Sequence, residues 1–99
     1  MSRYHFSYQA EQDLNDIYDY VARSSAANAA RLVQRLQQAC RLLAQFPGMG
    51  AARDDLRTGM RAFTEGSYVI FYEDTDDGIR ILRVLQGSRN ITSTHFRFP

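Results

Sequence analysis

The run Phe46-Pro47-Gly48-Met49-Gly50 splits the chain into a half with helical apolar spacing and a half with strand spacing. Neither a helix nor a strand passes through it, because proline disfavours helical geometry in the residue before it and glycine frees the backbone to turn. Upstream, Ala10, Leu14, Ile17 and Val21 recur at intervals of four, three and four, which places them on one face of a helix. Ser7 stands at its N-cap, and Glu11, Asp13, Asp16 and Asp19 fill the other faces. After Ser24 and Ser25, either of which can cap a second helix, Ala29, Leu32, Leu36, Ala39, Leu43 and Phe46 repeat at threes and fours, with Val33 and Cys40 widening the stripe. This helix carries Arg31, Arg35 and Arg41 and no acid, so the two helices are expected to attract each other as an antiparallel hairpin. Ahead of both, Tyr4 and Phe6 alternate with Arg3, His5 and Ser7 in the period of a short strand.

Downstream of the break the period is two. A strand is expected from near Leu56 through Arg57, Met60, Arg61, Ala62 and Phe63 to a two-residue turn at Glu65-Gly66. The next strand, Ser67 to Tyr72, puts Tyr68, Ile70 and Tyr72 on one face and Val69 and Phe71 on the other. The polar stretch Asp74 to Gly78 turns the chain into Ile79 to Leu85, which is apolar on both faces and therefore central; Gly87 ends it. The fold class is α+β: a short N-terminal strand, an antiparallel helical hairpin, then a three-stranded antiparallel meander with a short C-terminal segment. With 99 residues there is one domain, spanning 1–99, since so short a chain cannot divide its buried surface between two cores.

Composition narrows the chemistry. At 44% hydrophobic and 23% charged residues the chain has the material for a core and is not a disordered one. Cys40 is the sole cysteine, so no intrachain disulfide forms, and on the apolar stripe it reads as a small buried hydrophobe. His5 and His95 lie too far apart in sequence for a zinc motif of usual spacing, and no metal or cofactor is expected. All 12 basic residues are arginine, which excludes a catalytic lysine. The N-terminus lacks the apolar core of a signal peptide and no stretch is long enough to span a membrane, so a cytoplasmic protein is expected. After Asp77 there is no acid, while Arg80, Arg83, Arg89 and Arg97 make the C-terminal end the cationic pole, suited to an anionic partner. Six tyrosines and six phenylalanines are more large aromatic surface than one small core readily hides, so some should face a partner.

Several short signals in order resemble the ParE branch of the RelE/ParE toxin superfamily, small cytoplasmic α+β toxins encoded beside an antitoxin. They are Phe6-Ser7 with Ala10, Asp13-Leu14, Ile17 and Tyr20; Pro47 with Gly50; Leu56, Gly59 and Arg61 as L-x-x-G-x-R; Tyr68, Ile70 and Tyr72; and Arg83-Val84-Leu85. The chain departs from many members at Gln86, where they carry histidine, and at Asn90, where they carry aspartate. It departs further from the ribonuclease branch, having Val69 at the aligned arginine, no lysine, and no tyrosine after Tyr72.

The resemblance implies a non-catalytic toxin that arrests growth by inhibiting DNA gyrase, with no small-molecule substrate. It implies neutralisation by a ParD-type antitoxin, in a hetero-oligomer, through an amphipathic helix and an extended stretch. Candidate antitoxin contacts are the apolar residues Ile17, Tyr18, Val21, Leu36 and Phe63; candidate target contacts are Arg83, Arg89, His95, Phe96, Arg97 and Phe98. Two alternatives stay open. One is a RelE-type ribosome-dependent ribonuclease, in which Arg83, Arg89 and His95 converge as cations and a proton-transfer group. The other is a non-toxic domain that only binds a partner.

Overall fold

A computed structural model of the chain describes residues 3–97. The elements are β1 (Arg3–Phe6), α1 (Tyr8–Ala22), α2 (Ala26–Gln45), β2 (Ala51–Ala52), β3 (Met60–Glu65), β4 (Tyr68–Thr75) and β5 (Gly78–Gln86). Single 3-10 turns stand at Pro47–Met49 and Ser93–Phe96. The strands form one sheet in the order β1-β5-β4-β3-β2. The β3–β4–β5 meander is antiparallel as its turns require, while β1 lies parallel to β5 with Tyr4 opposite Ile79 and Phe6 opposite Ile81. The helical hairpin is thus the crossover between two parallel neighbours, which is why a lone N-terminal strand finds a place in the sheet.

Both helices cover one face of the sheet, where Ile17, Leu36, Cys40 and Leu43 pack on Ile70, Tyr72, Ile79 and Ile81. The opposite face carries a smaller cluster of Met60, Phe71, Leu82 and Leu85, closed by Phe96. Alternation therefore sorts β4 as expected, with Tyr68, Ile70 and Tyr72 towards the helices and Val69 and Phe71 away from them. In β5 the alternation breaks once. Phe71 pairs with Arg83 and Tyr72 with Ile81, leaving Leu82 as an extra residue. Beyond this bulge Val84 takes over the helix side from Ile81, and Leu85 joins Leu82 on the other.

A bulge leaves backbone groups without a ladder partner, and α1 supplies them. The buried Ser7 Oγ accepts from the Ala10 amide (3.0 Å) as an N-cap and donates to the Leu82 carbonyl (2.8 Å). One turn further, Asp13 Oδ2 accepts from the Val84 amide at 3.0 Å.

Four boundaries differ from the sequence expectation. The strand expected from Leu56 begins at Met60, because residues 53–59 fold into turns: the Arg53 carbonyl accepts from the Leu56 and Arg57 amides, and Gly59, at φ +80°, donates to Asp54 Oδ1. The hairpin loop is Gly66-Ser67 rather than Glu65-Gly66. Gly66 at φ +59° is the first central residue, as a type II′ turn demands. Strand β4 continues through Glu73, Asp74 and Thr75, held by pairing with Arg80, Ile79 and Gly78 despite its polar sequence. The segment after Gly50 contributes β2, paired with Arg61 and Ala62. Gly50 is required there, since a side chain would collide with the Tyr72 ring. The Tyr72 hydroxyl donates to the Pro47 carbonyl (2.7 Å) and accepts from the Gly50 amide (2.9 Å), fixing the break between helical and strand halves onto the sheet. Burial pushes that phenol up from its ordinary pKa.

Candidate functional site

Two surfaces hold the residues that sequence singled out. The first is the helical layer. Of its expected contacts, Leu36 (1% exposed) and Ile17 are core, fixed by the stripes that face the sheet; Val21 is half-buried, and Phe63 is half-buried against the same cluster. Only Tyr18, 38% exposed, offers a large apolar surface, in a shallow groove with Phe6, Leu14 and Val33. The larger exposed side chains are ones the stripe did not nominate: Tyr8, Tyr20 (70% exposed), Leu42 and Met49, together with Phe46 (57% exposed). Tyr20 and Leu42 fall off the stripes, which was the available signal. Phe46 continues the stripe in sequence, but the helix ends at Gln45 and the Phe46 backbone, at φ −130° and ψ 72°, leaves the helical path with its side chain exposed. The expected attraction between helices is also absent as contact: among the described residues no ion pair joins an α1 acid to Arg31, Arg35 or Arg41. Packing of the stripes holds the hairpin together; Glu11, Asp16, Asp19, Arg31, Arg35 and Arg41 are exposed, and Asp13 turns to the sheet instead.

The second surface is where β5 meets α1 and the C-terminal segment. Arg83 reaches Asp13 by two hydrogen bonds of 2.8 Å, Nε to Oδ2 and Nη2 to Oδ1, with both side chains largely buried. Those bonds raise the guanidinium's pKa further, so its charge is permanent. The remaining nitrogen, Nη1, donates to the His95 carbonyl at 3.0 Å. Arg57 Nη1 donates to the Phe96 carbonyl at 3.3 Å. Phe96 itself is 4% exposed and meets Phe71 edge-on with ring centroids 4.9 Å apart, so it is a core side chain rather than a surface contact. Arg89 and Arg97 are exposed, and Arg89 lines a groove with Tyr20, Tyr68, Asp16 and Gln86. Phe98 lies outside the described residues.

His95 accepts from the Thr92 amide at Nδ1 (3.1 Å), capping its own turn. Arg83 is therefore brought to the backbone of His95, not to its ring, while Arg89 sits in the groove beside α1. Among the described residues no cluster of His, Cys, Asp or Glu is placed to hold a metal ion, and no helix is long and apolar enough to cross a membrane. Cys40 is buried, and burial pushes its thiol up to about 12, which makes it inert.

The fold and these surfaces define a small α+β protein with exposed aromatic side chains on a helical layer and a cationic C-terminal end. Residues 4–91 match the family model described as the ParE toxin of the type II toxin-antitoxin system parDE. The chain belongs to that family. It is 37% identical over 91 residues to Toxin ParE1 of Caulobacter vibrioides, covering 91% of this chain and 94% of the relative. It is 36% identical over 86 residues to Toxin ParE1 of Mycobacterium tuberculosis, covering 85% and 88%. Among solved structures it is similar to a chain of the chromosomal ParDE TA system from P. aeruginosa, with a TM-score of 0.73 and 27% identity over 87% of this chain and 96% of that one.

Proposed function

We propose that this toxin acts in the cytoplasm on DNA gyrase, without covalent chemistry of its own, and is neutralised by a ParD-type antitoxin seated on the helical layer. The observation that carries the antitoxin part is the exposed set Tyr8, Tyr18, Tyr20, Leu42, Phe46 and Met49. Among the described residues these six large apolar side chains are the exposed ones, and they are the surface that a partner would cover. An amphipathic segment fits such a layer, its apolar anchors meeting tyrosines and its polar side facing out. Membership of the ParE family and likeness to a chain from a ParDE system support the partner's type.

For the target, the supporting observation is how the C-terminal charges are used. Arg83 is spent on Asp13 and a carbonyl, and His95 on a turn, so neither side chain is set as a proton-transfer partner of the other. What remains outward is Arg89 and Arg97, which suit recognition of an anionic surface. The test is to give the purified protein to gyrase with supercoiled DNA and, separately, to translating ribosomes with messenger RNA. Gyrase-dependent DNA breaks with intact message are expected. Ribosome-dependent cuts would establish the ribonuclease reading instead, and neither activity in a folded protein would leave a partner-binding domain.

A further inference from the structure

We infer that Arg83 is a positioning residue for the C-terminal segment: it holds residues 91–97 on the helix-free face of the sheet, and Asp13 on α1 sets that hold. Its functional consequence rests on the reading that this segment meets the target; the coupling itself does not.

The segment has few means of staying in place. It follows an exposed turn, Gly87 to Asn90, and its 3-10 turn is four residues long. Among the described residues Phe96 anchors it over Phe71, the half-buried Ile91 packs on the same cluster, and two arginines grasp consecutive carbonyls, Arg83 that of His95 and Arg57 that of Phe96. Arg83 can do this only in one orientation. Its guanidinium is planar, so once Nε and Nη2 are committed to the two oxygens of Asp13, the direction of Nη1 is fixed, and it points at the His95 carbonyl. Asp13 is held in turn: Oδ2 also accepts from the Val84 amide, next to the bulge that re-aims β5. A carboxylate on α1 thereby governs a backbone contact across the sheet.

The wall of the groove that contains Arg89 includes Asp13, Asp16, Ile17, Tyr20 and Val84, so α1 at Asp13 is in reach of whatever sits there. A change at Asp13 frees the torsions of Arg83, and the segment loses one of its two arginine bonds while Phe96 remains. Coupling of this kind is reciprocal, so a freed segment also leaves the Asp13–Arg83 pair less constrained.

Amide hydrogen exchange on Asp13→Asn reads this directly, because among the described residues the Thr92 and His95 amides are hydrogen-bonded only within the segment's turn. The side chain keeps its size but loses its charge. Exchange at Thr92 and His95 is expected to rise at least tenfold while amides of the β4–β5 ladder keep their rates. Phe96→Ala should release the same amides, and the double variant should exchange little faster than Phe96→Ala alone. Unchanged exchange at Thr92 and His95 in folded Asp13→Asn overturns the inference. If Asp13→Asn speeds exchange everywhere, Arg83→Lys decides: lysine keeps a cation beside Asp13 but has one nitrogen where arginine has three. Local release then supports the positioning role, and full protection refutes it. Growth arrest by Asp13→Asn tests the separate reading. Local release with undiminished toxicity would leave the coupling standing and remove the segment from target contact.

Discussion

Single side chains in this toxin divide by whether their surroundings leave them anything to do. Tyr18 and Tyr20 are on one helix and face solvent, so truncation should weaken antitoxin binding without touching the core. Tyr20→Ala or Tyr18→Ala is expected to cost about 2 kcal/mol in affinity at a central contact, with a nearly unchanged melting temperature. Calorimetric titration beside a thermal melt checks both, and a large fall in melting temperature with full affinity would place that ring in the core. Cys40 is the opposite case. Its thiol titrates near 9 when solvated and about 12 in the fold, so the folded state holds the proton more tightly. That has no effect on stability below pH 9, and stability is then lost as pH rises through the window from 9 to 12. Three pH units correspond to about 4 kcal/mol, as an upper figure. Tyr72, also raised by burial, adds to the loss only from its own higher range. Urea unfolding between pH 9 and 10 should therefore be much flatter in Cys40→Ala than in the parent; an equal slope would assign the loss elsewhere.

At the scale of elements, Ser7 shows how one residue can serve two. It caps α1 and satisfies the Leu82 carbonyl at the bulge, so Ser7→Ala is expected to cost about 2 kcal/mol, more than a surface cap, because a buried acceptor is also left without its donor. A loss of a few tenths in urea denaturation would show that water replaces the hydroxyl. Leu36→Ala, from the same stripe logic, should cost about 2–5 kcal/mol and act on antitoxin binding only through the folded fraction. These elements were legible in sequence to different degrees. The stripes of α1 and α2, the cap at Ser7 and both faces of β4 follow from local pattern, which needs no knowledge of neighbours, whereas the second cap is open in sequence between Ser24 and Ser25 and falls on Ser25. The extra residue at Leu82, the parallel pairing of β1 and the polar end of β4 are set by partners elsewhere in the chain, and no local period carries them. The site suffered for the same reason. A stripe names buried positions, so nominating contacts from it selected Ile17 and Leu36, whereas the exposed Tyr8, Tyr20 and Leu42 lie off it. Asp13 and Arg83 were both visible as motif residues, but their pairing spans seventy positions.

Across the whole molecule, charge is polarised: α1 carries Glu11, Asp13, Asp16 and Asp19, while no acid follows Asp77. An anionic target or an acidic antitoxin stretch would be drawn to the C-terminal end, and Arg89 is exposed there. Arg89→Glu is expected to slow association several-fold at low salt, and the difference should shrink as the Debye length falls from about 10 Å at 0.1 M to about 3 Å at 1 M. An equal effect at both salts would mean a short-range contact rather than steering. The molecule's central feature remains a toxin fold whose helical layer leaves its aromatic side chains uncovered, set beside a C-terminal end whose arginines are divided between structure and solvent. One measurement reaches all of it: the yield of gyrase-linked DNA breaks as purified toxin is titrated, alone and with an equimolar ParD-type antitoxin. Breaks that rise with toxin and disappear at one equivalent of antitoxin are expected; a folded toxin that produces no breaks at any concentration would contradict the assignment of gyrase as the target.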